Sequence, residues 1–124
     1  MINKHLNIHI QNRPWGNMIR FCLNAPDITV KVLTVNPKEV ISLQKHKYRD
    51  QFYYIIDELT IITENKQEDL VESIAKPGDE FYFHRGTLHR AYNHSLHPAR
   101  YLEISFGNYD ENDIKRIEDK YGRK

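Results

Sequence analysis

Two stretches of the chain carry side chains that could bind a metal or a phosphate group. The first covers residues 42–53, with the sequence SLQKHKYRDQFY, and the second covers residues 77–90, with the sequence PGDEFYFHRGTLHR. Imidazole and carboxylate groups are common ligands of divalent cations, and Arg and Lys bind phosphate through charge-assisted hydrogen bonds. Each stretch combines His with basic residues, so together they predict a two-part site.

The candidate metal ligands are Gln44, His46, Gln51 and His89. Tyr48 could add an oxygen, although a phenol pKa of about 10 opposes binding as phenolate. If the first stretch is a strand without a turn, Gln44, His46 and Tyr48 lie on one face. Taken singly, each His would be an ordinary core or surface histidine, so the metal prediction depends on both converging.

Basic side chains beside these histidines are the candidates for phosphate recognition. We predict substrate contacts from Lys45, Arg49, Arg85 and Arg90, which offer charged donors and, for Arg, paired hydrogen bonds. A solvated basic rim is the alternative interpretation, because the chain contains 18 Lys plus Arg residues.

Length and composition limit the class of protein. The 124 residues fit one domain, residues 1–124, and a net charge of +1 gives no reason to expect nucleic acid or a membrane as partner. Cys22 is the only cysteine, which excludes an internal disulfide framework and favours a reducing compartment. The sequence has neither a membrane-length apolar run nor a signal peptide, so it predicts a soluble cytoplasmic protein.

Short strand-like segments separated by turn signals fill most of the chain. They are residues 28–35, 40–43, 51–56, 59–63, 70–74, 80–83, 88–92 and 101–106. Many short strands without intervening helices favour a sandwich or barrel. Residues 13–16, with the sequence RPWG, predict a turn with a buried Trp. Residues 1–12 alternate weakly and could add an edge strand, either here or in the second copy of an expected homodimer.

The C-terminal segment breaks this pattern and predicts a helix over residues 110–121, outside a core of about residues 13–107. Asp110 is a plausible N-cap, and Gly122 suits the position after the last turn. Ile114, Ile117 and Tyr121 fall on one helical face, which would pack on the outside of the strands.

These motifs resemble the cupin domain of type II mannose-6-phosphate isomerases. The resemblance rests on RPWG at residues 13–16, SLQKH at 42–46 with Arg49, PGD at 77–79, GTLHR at 86–90 and the ending over residues 108–123. It implies an all-β double-stranded β-helix, a jelly-roll barrel, with a divalent metal (Zn, Mn, Co or Fe) in its mouth. Such domains usually follow a GDP-mannose pyrophosphorylase domain, so we expect a partner protein to supply nucleotidyl transfer.

The chain departs from this family's usual metal motif, which reads His-x-His followed by Glu. Tyr48 stands where the second His would be, and Gln51 stands where the Glu would be. An amide in place of a carboxylate removes a negative charge, which should weaken binding of a cation. His84, where the family more often has Pro, could replace the lost imidazole.

The resemblance implies a metal-assisted interconversion of mannose 6-phosphate and fructose 6-phosphate. That reaction needs a base, for which Glu103 is the candidate, and cations that stabilise the enediolate, for which Arg49 and Arg90 are the candidates. The alternative is a non-catalytic cupin with a degenerate metal site that binds a sugar or a nucleotide sugar. A third class is a metal-dependent cupin acting on another sugar or with dioxygen.

Overall fold

A computed structural model describes residues 8–21, 25, 27–108, 110 and 112–123. These residues form eleven β-strands, and none of them is helical. In chain order the strands are β1 (Ile8–Arg13), β2 (Gly16–Phe21), β3 (Ile28–Val35), β4 (Leu43–Lys45), β5 (Arg49–Ile55), β6 (Leu59–Glu64), β7 (Leu70–Ala75), β8 (Glu80–Phe83), β9 (His89–Tyr92), β10 (Ala99–Gly107) and β11 (Lys115–Glu118). The predicted all-β fold is therefore confirmed.

The strands pair into two antiparallel sheets that share one hydrophobic core. The first sheet has the order β1-β2-β3-β10-β5-β8, and the second has the order β11-β4-β9-β6-β7. The predicted strands over residues 28–35 and 80–83 match β3 and β8 from end to end. Residues 40–43 were predicted as one strand, but Val40 forms only an isolated bridge and β4 begins at Leu43.

The central strands β3, β10 and β5 set the chemistry of the interior. Alternate residues point inward, and the three strands are paired in register. The inward rows, from one end of the barrel to the other, are Thr29 with Ser105 and Gln51, then Lys31 with Glu103 and Tyr53, then Leu33 with Tyr101 and Ile55. The interior thus changes from polar at one end to apolar at the other.

The predicted turn at residues 13–16 joins β1 to β2. Trp15 is buried in the core, and its carbonyl accepts a hydrogen bond from the Asn36 N–H at 2.8 Å. Gly16 has a φ of +155°, and a Cβ there would lie 1.9 Å from the Thr34 carbonyl oxygen. Only glycine allows β2 to approach β3 this closely, so the turn fixes where Arg13 and Trp15 meet the barrel.

The predicted C-terminal helix is wrong, because residues 115–118 form β11 and pair with β4. The Asp110 carboxylate accepts the N–H of Asn112 at 2.9 Å, which closes a local turn. The Asp113 carboxylate accepts backbone N–H groups of Lys47 and Tyr48, more than sixty residues away. These long-range bonds outweigh the local helical pattern.

The N-terminal strand prediction is partly within the described residues. β1 lies at the edge of the first sheet and pairs with β2 of the same chain. Residues 1–7 and Cys22 lie outside the described residues. Across the part of the chain that is described, no helix is long and apolar enough to cross a membrane.

Candidate functional site

The site begins where the chain bends between β4 and β5. The bend at residues 47–48 ends the strand alternation that the sequence predicted. His46 and Arg49 are both buried, at 3% and 5% exposure, whereas Tyr48 is 51% exposed. Tyr48 therefore points away from the interior and does not join His46.

A cavity of about 90 Å³ lies at the polar end of the barrel. It brings together five of the predicted site residues, namely Gln44, His46, Arg49, Gln51 and Glu103. It also contains four basic residues that the sequence analysis did not select, namely Arg13, Lys31, Arg116 and Arg123. We call this the inner cavity. The segments that carried the family resemblance contain Arg13, Arg116 and Arg123. Lys31 alternates with apolar residues on a predicted strand, so the sequence could have indicated all four residues.

His46 is held as a neutral imidazole. Its Nδ1 lies 2.7 Å from the Asp113 carbonyl oxygen, which can only accept, so Nδ1 carries the proton. Burial first, and then the positive charge of Arg49, lower the pKa of His46 to about 3. Its Nε2 is buried and has no hydrogen-bond partner among the described residues. His46 thus offers an unused lone pair at the inner cavity.

His89 is also neutral but is already hydrogen-bonded at both ring nitrogens. Its Nδ1 donates to the Thr87 carbonyl at 2.9 Å, and burial lowers its pKa to about 4. The amide group of Gln51 lies 2.9 Å from Nε2 of His89 and 3.2 Å from Oγ of Ser105. Because Nε2 can only accept, we assign the amide NH₂ to His89 and the amide oxygen to the Ser105 hydroxyl.

Asp113 organises the mouth of this cavity and was missed as a site residue. Its carboxylate accepts the Lys47 and Tyr48 N–H groups at 2.8 and 2.9 Å and lies 3.7 Å from Nη1 of Arg49. Burial alone would raise the pKa of Asp113, but these hydrogen bonds and Arg49 lower it overall. Asp113 therefore orients both His46, through its carbonyl, and Arg49.

The other predicted substrate-binding residues do not line the inner cavity. Arg90 follows His89 on β9, and it binds the Ile41 carbonyl and the Glu118 carboxylate at 3.1 and 3.2 Å. Arg85 is half-exposed and pairs with Asp50 at 3.3 Å. His84, the alternative imidazole, is exposed.

Lys45 lies in a larger groove outside the cavity. This outer groove measures about 560 Å³ and is also lined by Lys47, Tyr48 and Lys115. His46 and Ile114 line both the groove and the inner cavity, so the two spaces meet there. Of the predicted two-part site, the second stretch contributes only Gly86 to the groove and no residue to the inner cavity, and His89 meets the first stretch through Gln51.

The residues at the inner cavity do not fit a divalent cation. Within the described residues, no group of three or more His, Cys, Asp or Glu is arranged to hold a metal. The donors that line it are the neutral imidazole of His46, the amides of Gln44 and Gln51 and a single carboxylate, Glu103, among five basic residues. Arg49 lowers the pKa of both histidines, and the same positive potential would oppose a dication.

Comparison with known proteins shows the family of this chain. The family model described as "Mannose-6-phosphate isomerase C-terminal" matches residues 2–119. The xanthan biosynthesis protein XanB of Xanthomonas campestris pv. campestris (strain B100) is 31% identical over 121 residues, covering 90% of this chain and 23% of XanB. The mannose-1-phosphate guanylyltransferase ManC of Salmonella typhimurium (strain LT2) is 30% identical over 113 residues, covering 90% and 22%.

Solved structures with the same fold are more distant in sequence. The capsular polysaccharide assembling protein CapF of Staphylococcus aureus superposes with a TM-score of 0.78 at 14% identity, covering 90% of this chain and 32% of CapF. Oxalate decarboxylase of Bacillus subtilis gives 0.78 at 15% identity, covering 90% and 30%. That decarboxylase has Mn(II) centres, which are a property of that enzyme.

These matches confirm the expected cupin barrel and limit how far its function can be inferred. The chain spans less than a quarter of the length of the curated relatives, at 23% of XanB and 22% of ManC. Their whole-protein activities therefore do not pass directly to this chain. With the family model matching residues 2–119 and a cupin barrel enclosing the predicted His46 and His89, the chain belongs to the mannose-6-phosphate isomerase C-terminal family.

Proposed function

We propose that this protein binds a phosphorylated sugar of the mannose 6-phosphate type where the inner cavity meets the outer groove. The observation that carries the proposal is the position of His46, which lines both spaces beside basic residues and whose buried Nε2 has no partner among the described residues. A neutral imidazole accepts a hydrogen bond from a hydroxyl group, and Lys and Arg bind phosphate. The site therefore matches a ligand with both groups.

The size of the outer groove supports a ligand of this class. Small-molecule sites usually measure about 300–1,000 Å³, and the groove of about 560 Å³ falls within that range. The relatives named above include an enzyme that acts on mannose 1-phosphate. A nucleotide sugar is a larger member of the same class, and it would use the same junction. This role needs neither a metal nor turnover.

Isothermal titration calorimetry tests the proposal with mannose 6-phosphate, fructose 6-phosphate and mannose. We expect a sugar phosphate to bind at least tenfold more tightly than mannose, a difference of about 1.4 kcal/mol. His46→Ala should weaken this binding at least tenfold, whereas His97→Ala, at an exposed loop position, should not. No binding of either sugar phosphate at millimolar concentration would refute the proposal.

Aldose–ketose isomerisation is a second candidate, favoured by the buried carboxylate of Glu103 at the inner cavity. Glu103 is 4% exposed and lies directly across the β3–β10 pair from Lys31. In this candidate Glu103 removes the C2 proton of mannose 6-phosphate, and Lys31 and Arg49 stabilise the enediolate oxygen. Return of that proton at C1, together with transfer of the O2 hydroxyl proton to O1, gives fructose 6-phosphate.

Proton exchange tests this candidate separately from binding. In D₂O, turnover would place deuterium at C2 of mannose 6-phosphate, and Glu103→Gln should abolish the exchange. Arg90→Gln, which changes a residue outside the inner cavity, should reduce exchange much less. If the wild-type protein binds the sugar phosphate without exchange or turnover, isomerisation fails and the binding proposal stands.

We also propose that the protein forms a homodimer through the edge of the first sheet. Among the strands that the structure describes, none pairs with the outer side of β1, and Ile10 on β1 is 67% exposed. Light scattering should report twice the chain mass at micromolar concentration. A monomer under those conditions would overturn the dimer.

A further inference from the structure

We infer that the inner cavity is a binding site for a phosphoryl group, located where the family pattern would have a metal. The inference deepens the proposed function and rests on it for the identity of the sugar, because it states which part of the ligand enters the barrel. The phosphoryl group enters the inner cavity, and the sugar body lies in the outer groove.

The charge of the cavity suits a dianion. Its lining contains five basic residues, Arg13, Lys31, Arg49, Arg116 and Arg123, and one carboxylate, Glu103. Two further carboxylates neutralise members of this set from outside the lining: Asp113 lies 3.7 Å from Arg49, and Asp119 binds Arg123 at 2.9 Å. Within the described residues, the lining itself therefore contains five basic groups and one carboxylate.

Two other guanidinium groups in the lining, those of Arg123 and Arg13, are close enough to repel that of Arg116. Burial, then Arg123 and Arg13, lower the pKa of Arg116, with Asp119 acting in the opposite direction. Like charges that lie close together in a partly buried space raise the free energy of the folded protein. A bound anion would offset this repulsion by attracting each of the basic groups. The three residues come from β1, β11 and the C-terminal end, so only the folded chain brings them together.

His46 supplies a second, independent observation. It is 3% exposed, and its Nε2 has no hydrogen-bond partner among the described residues. A buried acceptor without a partner is costly unless a ligand or water satisfies it. The dianion of a sugar phosphate has no P–OH group, but the adjoining sugar offers hydroxyl groups that can donate to Nε2 where the cavity meets the groove.

The two volumes determine the orientation of the ligand. The inner cavity of about 90 Å³ is well below the usual size of a small-molecule site, and it has room for a compact group of few atoms. The outer groove of about 560 Å³ can hold a sugar, with Lys47 and Tyr48 at its wall. The isomerase candidate needs the reverse orientation, with C1 and C2 beside Glu103.

Inorganic phosphate is the direct probe of this site. We expect calorimetry to detect one phosphate bound per chain, and mannose 6-phosphate to compete with it. Arg116→Gln should weaken the binding of both ligands at least tenfold, and Lys31→Gln should act in the same direction if that variant folds. Arg100→Gln is the matched control, because Arg100 is exposed and pairs with Asp57 at 3.0 Å, and it should bind both ligands as the wild type does.

The outcomes separate this inference from the proposed function. If mannose 6-phosphate binds but phosphate neither binds nor competes, or if Arg116→Gln binds as tightly as the wild type, the phosphoryl site is refuted and sugar-phosphate binding stands. If phosphate binds and neither sugar phosphate does, the proposed function fails and the anion site stands. A rise in melting temperature with Zn²⁺ or Mn²⁺ but not with phosphate would also overturn the inference.

Discussion

The two ends of the barrel interior are built from the same strands and are buried alike, yet they have opposite chemistry. Ile55 at one end is 0% exposed, and Gln51 at the other, on the same face of β5, is 1% exposed. The difference shows that burial alone does not identify a core. A buried apolar side chain stabilises the fold, whereas a buried polar one costs free energy unless it is hydrogen-bonded.

The apolar end is packed by rings and branched side chains. Tyr101 lies between Leu33 and Ile55 across the paired strands, and its ring lies 4.5 Å from that of Tyr53, between centroids. Burial raises the pKa of both tyrosines well above the usual value, so their phenols stay neutral.

Hydrogen bonds hold the polar end together, but one buried acceptor there has no partner among the described residues. Gln51 bridges His89 and Ser105, and Asp113 holds the bend that carries His46. Within the described residues, Nε2 of His46 has no hydrogen-bond partner, and five basic residues line the cavity beside it. The apolar end therefore explains stability, and the polar end explains the expected ligand.

The largest expected effect is a loss of stability at the apolar end. Ile55→Ala removes a fully buried side chain and leaves a cavity, which should lower the free energy of unfolding by about 4 kcal/mol. Urea denaturation measures the change, and Leu96→Ala, at a 77% exposed loop position, should stay within about 0.5 kcal/mol of the wild type. Equal losses in the two variants would contradict the assignment of the core.

A smaller effect should come from protonating the polar end. The pKa values of His46 and His89 fall from 6.5 to about 3 and about 4 on folding. Below about pH 6.5 the two histidines become protonated in the unfolded chain but stay neutral in the folded chain. The free energy of unfolding therefore falls as the pH decreases. From pH 7 to 5.5 we expect a loss of about 2.5 kcal/mol for the two groups together.

Urea denaturation at several pH values measures this slope. His89→Gln should remove about half of it, because one of the two groups is lost. The carboxylate of Asp113, whose pKa is lowered from 3.8, changes the stability only near and below pH 3.8. It therefore does not contribute between pH 7 and 5.5. A stability that is flat between pH 7 and 5.5 would show that the histidines are not neutral in the folded protein.

Asp113→Ala should lower the free energy of unfolding by about 2 kcal/mol, because two backbone N–H groups and Arg49 lose a charged partner. It should also weaken phosphate binding, since the bend carrying His46 and Arg49 loses its support. Asp69→Ala, at an exposed loop position, is the matched control for urea denaturation and calorimetry. A stability loss without any change in phosphate affinity would separate the bend from the site.

The smallest expected effect is a gain of metal binding in Gln51→Glu. The new carboxylate would lie beside His89 and give the site three donors, one of them charged. We expect Zn²⁺ or Mn²⁺ to bind at least tenfold more tightly than in the wild type, or about 1.4 kcal/mol. Elemental analysis and melting temperature measure this, with Gln67→Glu in an exposed loop as control. If Gln51→Glu does not bind metal, the arrangement of the donors, rather than their charge, prevents metal binding.

The strands were predictable because alternation is a local property of the sequence. β3 and β8 were predicted from end to end, and the turn at residues 13–16 was recognised from Pro and Gly. The C-terminal helix was not excluded by local reasoning, because the spacing of Ile114, Ile117 and Tyr121 fits a helix. The carboxylate of Asp113 instead binds the bend at residues 47–48. The two segments are more than sixty residues apart, so local sequence patterns cannot reveal this contact.

The site was predictable only in part, for the same reason. His46, Gln51 and Glu103 were selected from motifs and alternation, and the structure brings all three together at one end of the barrel. The turn after Lys45 exposes Tyr48 and buries Arg49, which strand alternation alone could not foresee. Arg90 was selected from its motif, but its neighbour His89 points to the interior while Arg90 binds Glu118.

The sequence by itself determined the β-rich class, the family and the loss of the usual second His and Glu at Tyr48 and Gln51. These properties depend on residue type and short-range spacing. The tertiary structure alone decided that Arg13, Lys31, Arg116 and Arg123 share one cavity with His46. Their convergence depends on pairing between strands that are far apart in the chain, and it gives the site its positive charge.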